Sequence, residues 1–147
     1  MVEPKPALPS WLPVANRVVR ALNRLGLSLG TIEVLTVPGR RSGKPRTTPV
    51  SPLTVDGCRY VVAAAPRSDW AGNVRAAGRG VLARGRRRSD VTLTEIDDPA
   101  VARAVLRAFP AEVPTGVPFF VQLGLVERAD PHQFEAIADR VAVFRID

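Results

Sequence analysis

The feature that most constrains this fold is a series of short β-type segments separated by turns, with no regular alternation of strand and helix. Asp56-Gly57 lies between two of these segments and is a strong two-residue hairpin signal. Parallel strands need long crossover connections, usually helical, so we expect an antiparallel sheet instead. The sequence predicts strands at Thr31–Val37, Thr47–Val55, Arg59–Ala65, Val81–Arg84, Asp90–Ile96 and Val141–Ile146.

Helices are predicted at the start of the chain and as short insertions between strands. Apolar residues recur at helical spacing between residues 10 and 26, and arginines fall among the polar positions. Residues 1–9 are proline-rich and are predicted to form a disordered tail, followed by a single domain over 10–147. Shorter helices are predicted at 69–77, 99–109 and 131–139, a loop at 110–118, and a segment that fits helix or strand at 119–126.

The amino-acid composition limits the chemical functions that the chain can have. The 147 residues contain one cysteine, Cys58, and one histidine, His132, which excludes an internal disulfide and argues against a protein-bound metal. The net charge of +7 favours an anionic partner. We find no secretory signal and expect a cytoplasmic protein, with peripheral membrane contact through helix 10–26 as an alternative.

A second basic segment, Arg84-Gly85-Arg86-Arg87-Arg88, lies at a predicted hairpin tip, where charges are usually solvated. Sequence-tolerant nucleic-acid binding typically pairs cations with stacking aromatic residues. No aromatic residue lies between Trp70 and Phe109. We therefore expect no specific nucleic-acid partner, and a basic barrel that binds nucleic acid is the least favoured interpretation.

The densest chemical feature is the loop between the first two predicted strands. Glycines allow backbone N–H groups to face a ligand, and arginines match phosphate and carboxylate oxygens. The loop is therefore a candidate anion-binding site, although a solvated basic loop would have the same composition. The candidate residues are the cations Arg40, Arg41, Lys44 and Arg46 with Gly43, Ser42, Thr47 and Thr48.

This loop also resembles a family signature. The pattern Thr36-x-x-Gly39-Arg40-x-Ser42-Gly43-x-x-Arg46-x-x-Pro49 is similar to that of the deazaflavin-dependent nitroreductase-like family, also described as coenzyme F420-dependent quinone reductases. The segments Gly57-x-x-Tyr60-Val61-Val62-Ala63-Ala64 and Trp70-x-x-Asn73-Val74-x-Ala76 resemble its second hairpin and its Trp-x-x-Asn helix. The resemblance covers about residues 31–96.

The resemblance implies an α+β, mostly β fold: an antiparallel split β-barrel like that of FMN-binding proteins, with an N-terminal helix and short inserted helices. It implies coenzyme F420, an 8-hydroxy-5-deazaflavin that carries a phosphodiester and several carboxylates, as the cofactor. Arg40, Arg41, Lys44 and Arg46 would bind these anions, and Ser42 and Gly43 would add donors. The remaining implied site residues are Thr47, Thr48 and Pro49 towards the ring, Ala63, Ala64 and Ala65 along its edge, and Trp70 and Asn73 in the closing helix.

The implied activity is hydride transfer from reduced F420 to a small apolar acceptor: a quinone, an activated alkene or a nitroaromatic. Tyr60 is the only tyrosine, so the C-terminal tyrosines of some family members have no counterpart here, and no catalytic residue is assigned. FMN in place of F420 is the closest alternative. A second alternative is a non-catalytic barrel that binds a flavin, haem or tetrapyrrole. A homodimer is compatible with the enzyme and with the binding barrel.

Overall fold

The computed structural model describes residues 32–147, and its strands form one antiparallel sheet. The strands follow the order β2-β1-β5-β6-β7-β4-β3 across the sheet. Their bounds are β1 Glu33–Pro38, β2 Pro45–Val50, β3 Leu53–Val55, β4 Cys58–Ala63, β5 Arg79–Arg84, β6 Arg87–Glu95 and β7 Ala142–Ile146. The helices are α1 Asp69–Ala77, α2 Pro99–Glu112, α3 Val117–Gln122 and α4 Pro131–Ala136, with 3₁₀ turns at Pro114–Gly116 and Ala138–Arg140.

The sheet curls into a split barrel, as the sequence predicted. Strands β1 and β4 are not neighbours in the sheet, yet Arg59 Nη2 in β4 lies 2.6 Å from Glu33 Oε2 in β1. This ion pair crosses one mouth of the barrel. Apolar side chains fill the interior, among them Leu35, Leu82 and Phe144.

A second apolar cluster joins the outside of the barrel to the later helices. Tyr60 and Leu53 face this cluster from β4 and β3, because alternate residues of a strand point to opposite faces. Its centre is three phenylalanines, Phe109, Phe120 and Phe134, whose ring centroids lie 4.9 to 5.5 Å apart. The cluster holds α2, α3 and α4 against the sheet.

Two sequence predictions about element boundaries were wrong. The predicted strand Thr47–Val55 is divided into β2 and β3, because Pro52 lacks an N–H for the ladder and restricts Ser51 before it. The predicted loop 110–118 is partly helical, since α2 continues to Glu112 through a buried Pro110. Pro110 is buried and Val113 packs in the aromatic cluster, which stabilises this end of the helix although proline cannot make its backbone hydrogen bond.

The other elements agree with the predictions to within a few residues, and α1 has the predicted bounds. The ambiguous segment 119–126 is helical through Gln122. The predicted tail 1–9 and helix 10–26 lie outside the described residues. Within residues 32–147, no helix has the length and apolar character needed to span a membrane.

Candidate functional site

The predicted basic loop lies against the N-terminal half of α1 and forms an open groove of about 480 Å³. Ser68 caps α1 by accepting a hydrogen bond from the Ala71 N–H, so this end of the helix is well defined beside the loop. The groove is lined by Gly39, Arg40, Arg41, Ser42, Arg46, Thr47, Thr48, Asp69, Trp70 and Asn73.

The loop is held by its own backbone. The Gly39 N–H donates to Lys44 O at 2.8 Å, and the Gly43 N–H donates to Gly39 O at 2.9 Å. Gly43 has a φ of +71°, which favours glycine. Within residues 32–147 the N–H groups of Arg41 and Ser42 have no hydrogen-bond partner. Successive free N–H groups before a left-handed residue form an anion-binding concavity.

Arg40 has a different position from that of the other loop cations. Its Nη1 donates to Asn73 Oδ1 at 2.8 Å and to Asp69 O at 3.2 Å, and its Nη2 lies 3.2 Å from Asp69 Oδ1. The Arg40 backbone N–H donates to the same Asn73 oxygen at 3.0 Å. We call Arg40, Asp69 and Asn73 the arginine clamp. It fixes the loop to α1 and engages most of the Arg40 guanidinium.

The clamp depends on a glycine in α1. A Cβ on Gly72 would lie 3.1 Å from Arg40 Cζ, closer than ordinary van der Waals contact. The guanidinium therefore packs flat against the helix backbone at Gly72. Asn73 is 5% exposed and is one of two buried polar side chains in the described part of the chain. The sequence did not predict a role for Asp69 or Gly72, because no local signal connects them with Arg40.

The remaining loop cations are available to a ligand. Arg41, Lys44 and Arg46 are exposed, and none of them makes an ion pair within residues 32–147. Asp69 is the one acidic side chain that lines the groove, and Arg40 neutralises it. The described groove is therefore electropositive, as an anionic cofactor requires.

The structure brings together eight of the predicted site residues and leaves six outside the lining. Trp70 both lines the groove and packs on the barrel core, with its ring centroid 6.1 Å from that of Phe144. Lys44 lies on the loop beside the groove, and Ala63 and Ala64 are buried at the end of β4. The residues outside the lining are Gly43, Lys44, Pro49, Ala63, Ala64 and Ala65.

Comparison with known proteins identifies the family. The family model described as F420H(2)-dependent quinone reductase matches residues 14–116. The chain belongs to this family. It is an F420H2-dependent oxidoreductase, and its cofactor is coenzyme F420 rather than the FMN kept as an alternative.

Solved structures agree on the fold. An F420-H2 dependent reductase, FDR-A, has a TM-score of 0.55 at 22% identity, covering 80% of this chain and 95% of the other. A protein solved as a domain-swapped dimer has a TM-score of 0.53 at 21% identity, covering 89% and 98%. A conserved hypothetical protein from Mycobacterium tuberculosis has a TM-score of 0.55 at 12% identity, covering 100% and 85%. No curated protein matches the sequence.

Proposed function

We propose that this F420H2-dependent oxidoreductase reduces a quinone and that the groove between the basic loop and α1 holds the coenzyme. The observation that carries the proposal is the pairing of free cations with free backbone N–H groups. Arg41 and Arg46 project from the groove lining, and the N–H groups of Arg41 and Ser42 are unpaired within residues 32–147. This donor set suits the phosphodiester and carboxylates of the coenzyme.

The residues fit the anionic part of the coenzyme because the loop is held by contacts within the protein. Its internal hydrogen bonds and the arginine clamp hold the donors in place, so less conformational entropy is lost on binding. A Cβ on Gly39 would lie 3.3 Å from Lys44 O and from Ser42 Oγ, so a larger residue there would crowd the loop. Arg40 acts as a positioning residue, while Arg41, Lys44 and Arg46 supply the charge.

The bound coenzyme supplies a hydride, two electrons and a proton, to the acceptor. The protein's residues supply orientation and charge complementarity. Trp70 is fixed by its packing against Phe144 and gives the groove a rigid apolar wall. The groove is open, so solvent can deliver the second proton that converts a quinone to a hydroquinone.

The direct test is a fluorescence titration of the purified protein with reduced F420. We expect Lys44→Ala/Arg46→Ala to weaken binding at least tenfold, because each lost charge-assisted hydrogen bond contributes about 1.5–3 kcal/mol. The matched control is Arg86→Ala/Arg88→Ala, which removes the same charge from the β5–β6 hairpin. Equal losses in both variants would show that net charge, and not the groove, governs binding.

Quinone reduction has its own test. F420H2 oxidation is followed in steady state with a quinone, an activated alkene and a nitroaromatic as acceptors. The proposal expects the largest kcat/KM for the quinone. Tight coenzyme binding without turnover of any acceptor would instead support a non-catalytic binding barrel.

We also propose a homodimer, which uses the apolar surface of α3 and of Leu123 directly after it. Phe119 is 53% exposed and Leu123 is 46% exposed, one helical turn apart, and Val121 is exposed beside them. Such a surface favours burial against a partner. Light scattering of the wild type and of Phe119→Glu tests this, because the variant should be monomeric if α3 forms the interface. Peripheral membrane contact through residues 10–26 and the single domain over 10–147 also stay predictions.

A further inference from the structure

The barrel has a second charged cavity at the mouth opposite the coenzyme groove. It has a volume of about 350 Å³ and contains three arginines and one carboxylate. Strand β1 joins the two sites: Glu33 at its start lines this cavity, and Pro38 at its end leads into the basic loop. Five residue steps at about 3.3 Å place the two ends of β1 roughly 17 Å apart. The lining residues are Glu33, Arg59, Leu82, Arg84, Arg87 and Ser89.

The strand registers place these side chains on one face of the sheet, at the mouth of the barrel. Leu82 is opposite Leu35 on one side and Ser89 on the other, and both leucines belong to the interior cluster. Arg84 lies two residues from Leu82, and Arg87 lies two residues from Ser89. Because side chains alternate along a strand, both arginines lie on the same face of the sheet as Leu82 and Ser89. Arg84, Arg87 and Ser89 are exposed, so they line the open rim of this mouth, above the buried Leu82.

Arg84 and Arg87 are a like-charge pair. They are directly opposite each other on either side of the Gly85-Arg86 turn, where Cβ atoms are about 4.5–5.5 Å apart. Like charges in this position destabilise a hairpin. Within residues 32–147 neither arginine makes an ion pair, and the nearby Glu33 carboxylate is already bound by Arg59. Residues 1–31 contain one acidic residue, Glu3.

We propose that this cavity is a second anion-binding site that takes a phosphate group between Arg84 and Arg87. Two guanidinium groups can each donate a pair of hydrogen bonds to the same phosphate, and a dianion converts their repulsion into attraction. Ser89 adds a hydroxyl donor, and the Arg59–Glu33 pair closes the far wall of the cavity. The site is separate from the proposed coenzyme groove and does not depend on it.

The test measures the thermal unfolding of the full chain with increasing inorganic phosphate. A Lys44→Ala/Arg46→Ala background removes phosphate binding in the coenzyme groove. In this background we expect phosphate to raise the Tm, because a ligand of the native state stabilises it. Adding Arg84→Gln/Arg87→Gln should weaken phosphate binding about tenfold or more. Without phosphate, the same change should leave the Tm equal or higher, because it removes the like-charge pair.

The matched control is Arg86→Gln/Arg88→Gln, which removes the same charge from the same hairpin. Arg86 lies in the turn, and Arg88 is opposite Ala83 on the other face of the sheet. This control should keep phosphate binding. Coenzyme affinity should be unchanged when Arg84→Gln/Arg87→Gln is made in the wild-type chain. Failure of the phosphate-site proposal can therefore be distinguished from failure of the proposed function.

A second arm separates a free phosphate compound from a lipid headgroup. Sedimentation with phosphatidylcholine vesicles, with and without phosphatidic acid, is compared for the same variants. If free phosphate binds and this binding is lost in the Arg84→Gln/Arg87→Gln variant, the ligand is a soluble phosphate compound. If only phosphatidic acid vesicles bind, and the same variant loses this binding, the ligand is a lipid headgroup. No binding in either arm, or equal losses in the two hairpin variants, would overturn the proposal.

Discussion

Asn73 and Asp69 bind the same guanidinium in different environments, and this difference predicts unequal effects on stability. Asn73 is buried and accepts two hydrogen bonds from Arg40, whereas the Asp69 side chain is 93% exposed. Asn73→Ala leaves two donors without an acceptor and should cost about 1–3 kcal/mol of unfolding free energy. Asp69→Ala should cost about 1 kcal/mol or less, because exposed ion pairs contribute little.

Urea unfolding of both variants measures this difference. Asn73→Asp is the conservative control, because it keeps an oxygen opposite Arg40 and should recover part of the lost stability. Losses of equal size in the two alanine variants would contradict the assignment of Asn73 as the buried anchor of the clamp. If the variant with the larger loss of stability also has the larger loss of coenzyme affinity, this would support Arg40 as a positioning residue.

Tyr60 provides a second prediction for a single side chain. Burial, together with the neighbouring Cys58, raises its pKa above the ordinary value of 10.0. The protonated phenol is therefore favoured in the folded state. The stability linked to it is fully present below pH 10.0 and is lost as pH rises through the folded pKa.

Because Tyr60 is the only tyrosine, the phenolate absorbance reports on this residue alone. A native titration midpoint above that of the urea-unfolded chain confirms the prediction. Coincident midpoints would mean that the phenol is solvated in the folded protein. Cys58→Ala is the control, and it should lower the native midpoint without bringing it down to the unfolded one.

At the scale of elements, Gly80 allows β5 to approach β1. A Cβ on Gly80 would lie 2.8 Å from the backbone oxygen of Thr36 and from Val37 Cγ1. The Thr36 oxygen is part of the strand and cannot move aside, so Gly80→Ala should destabilise the protein by about 1–3 kcal/mol through overpacking. Strand propensity alone would favour alanine over glycine at this position, so the expected loss of stability comes from the steric effect.

Gly72→Ala is the matched substitution in α1. Its new Cβ would meet the end of a flexible arginine, and alanine gains up to about 1 kcal/mol of helix propensity over glycine. We expect its unfolding free energy to stay within about 1 kcal/mol of the wild type, while coenzyme affinity falls as Arg40 shifts. Thermal unfolding and coenzyme titration of both variants measure this, and similar stability losses at Gly72 and Gly80 would contradict it.

The elements predicted correctly are those with local signals. The Asp56-Gly57 turn and the bounds of α1, which ends at Gly78, are encoded within a few residues, so the sequence predicted them. The end of α2 depends on burial of Pro110 and on the packing of Val113 in the cluster that contains Phe120 and Phe134, and no local pattern contains these contacts. The site follows the same rule. The cationic loop was predictable, but the contact between Arg40 and Asp69 spans 29 residues and exists only in the folded chain.

At the scale of the whole molecule, a net charge of +7 should act on the rate of coenzyme association. A positively charged protein with an electropositive groove steers an anionic ligand towards it, and salt screens this attraction over a Debye length of about 8 Å at physiological ionic strength. Stopped-flow association of reduced F420 should therefore slow as salt rises, while kcat/KM for an uncharged quinone at saturating coenzyme should change little. Lys44→Ala/Arg46→Ala should flatten the salt dependence more than Arg86→Ala/Arg88→Ala, because the first pair lies beside the ligand's final position. A salt response of equal size in both variants would mean that only the total charge of the molecule attracts the coenzyme, and that the groove adds no local steering.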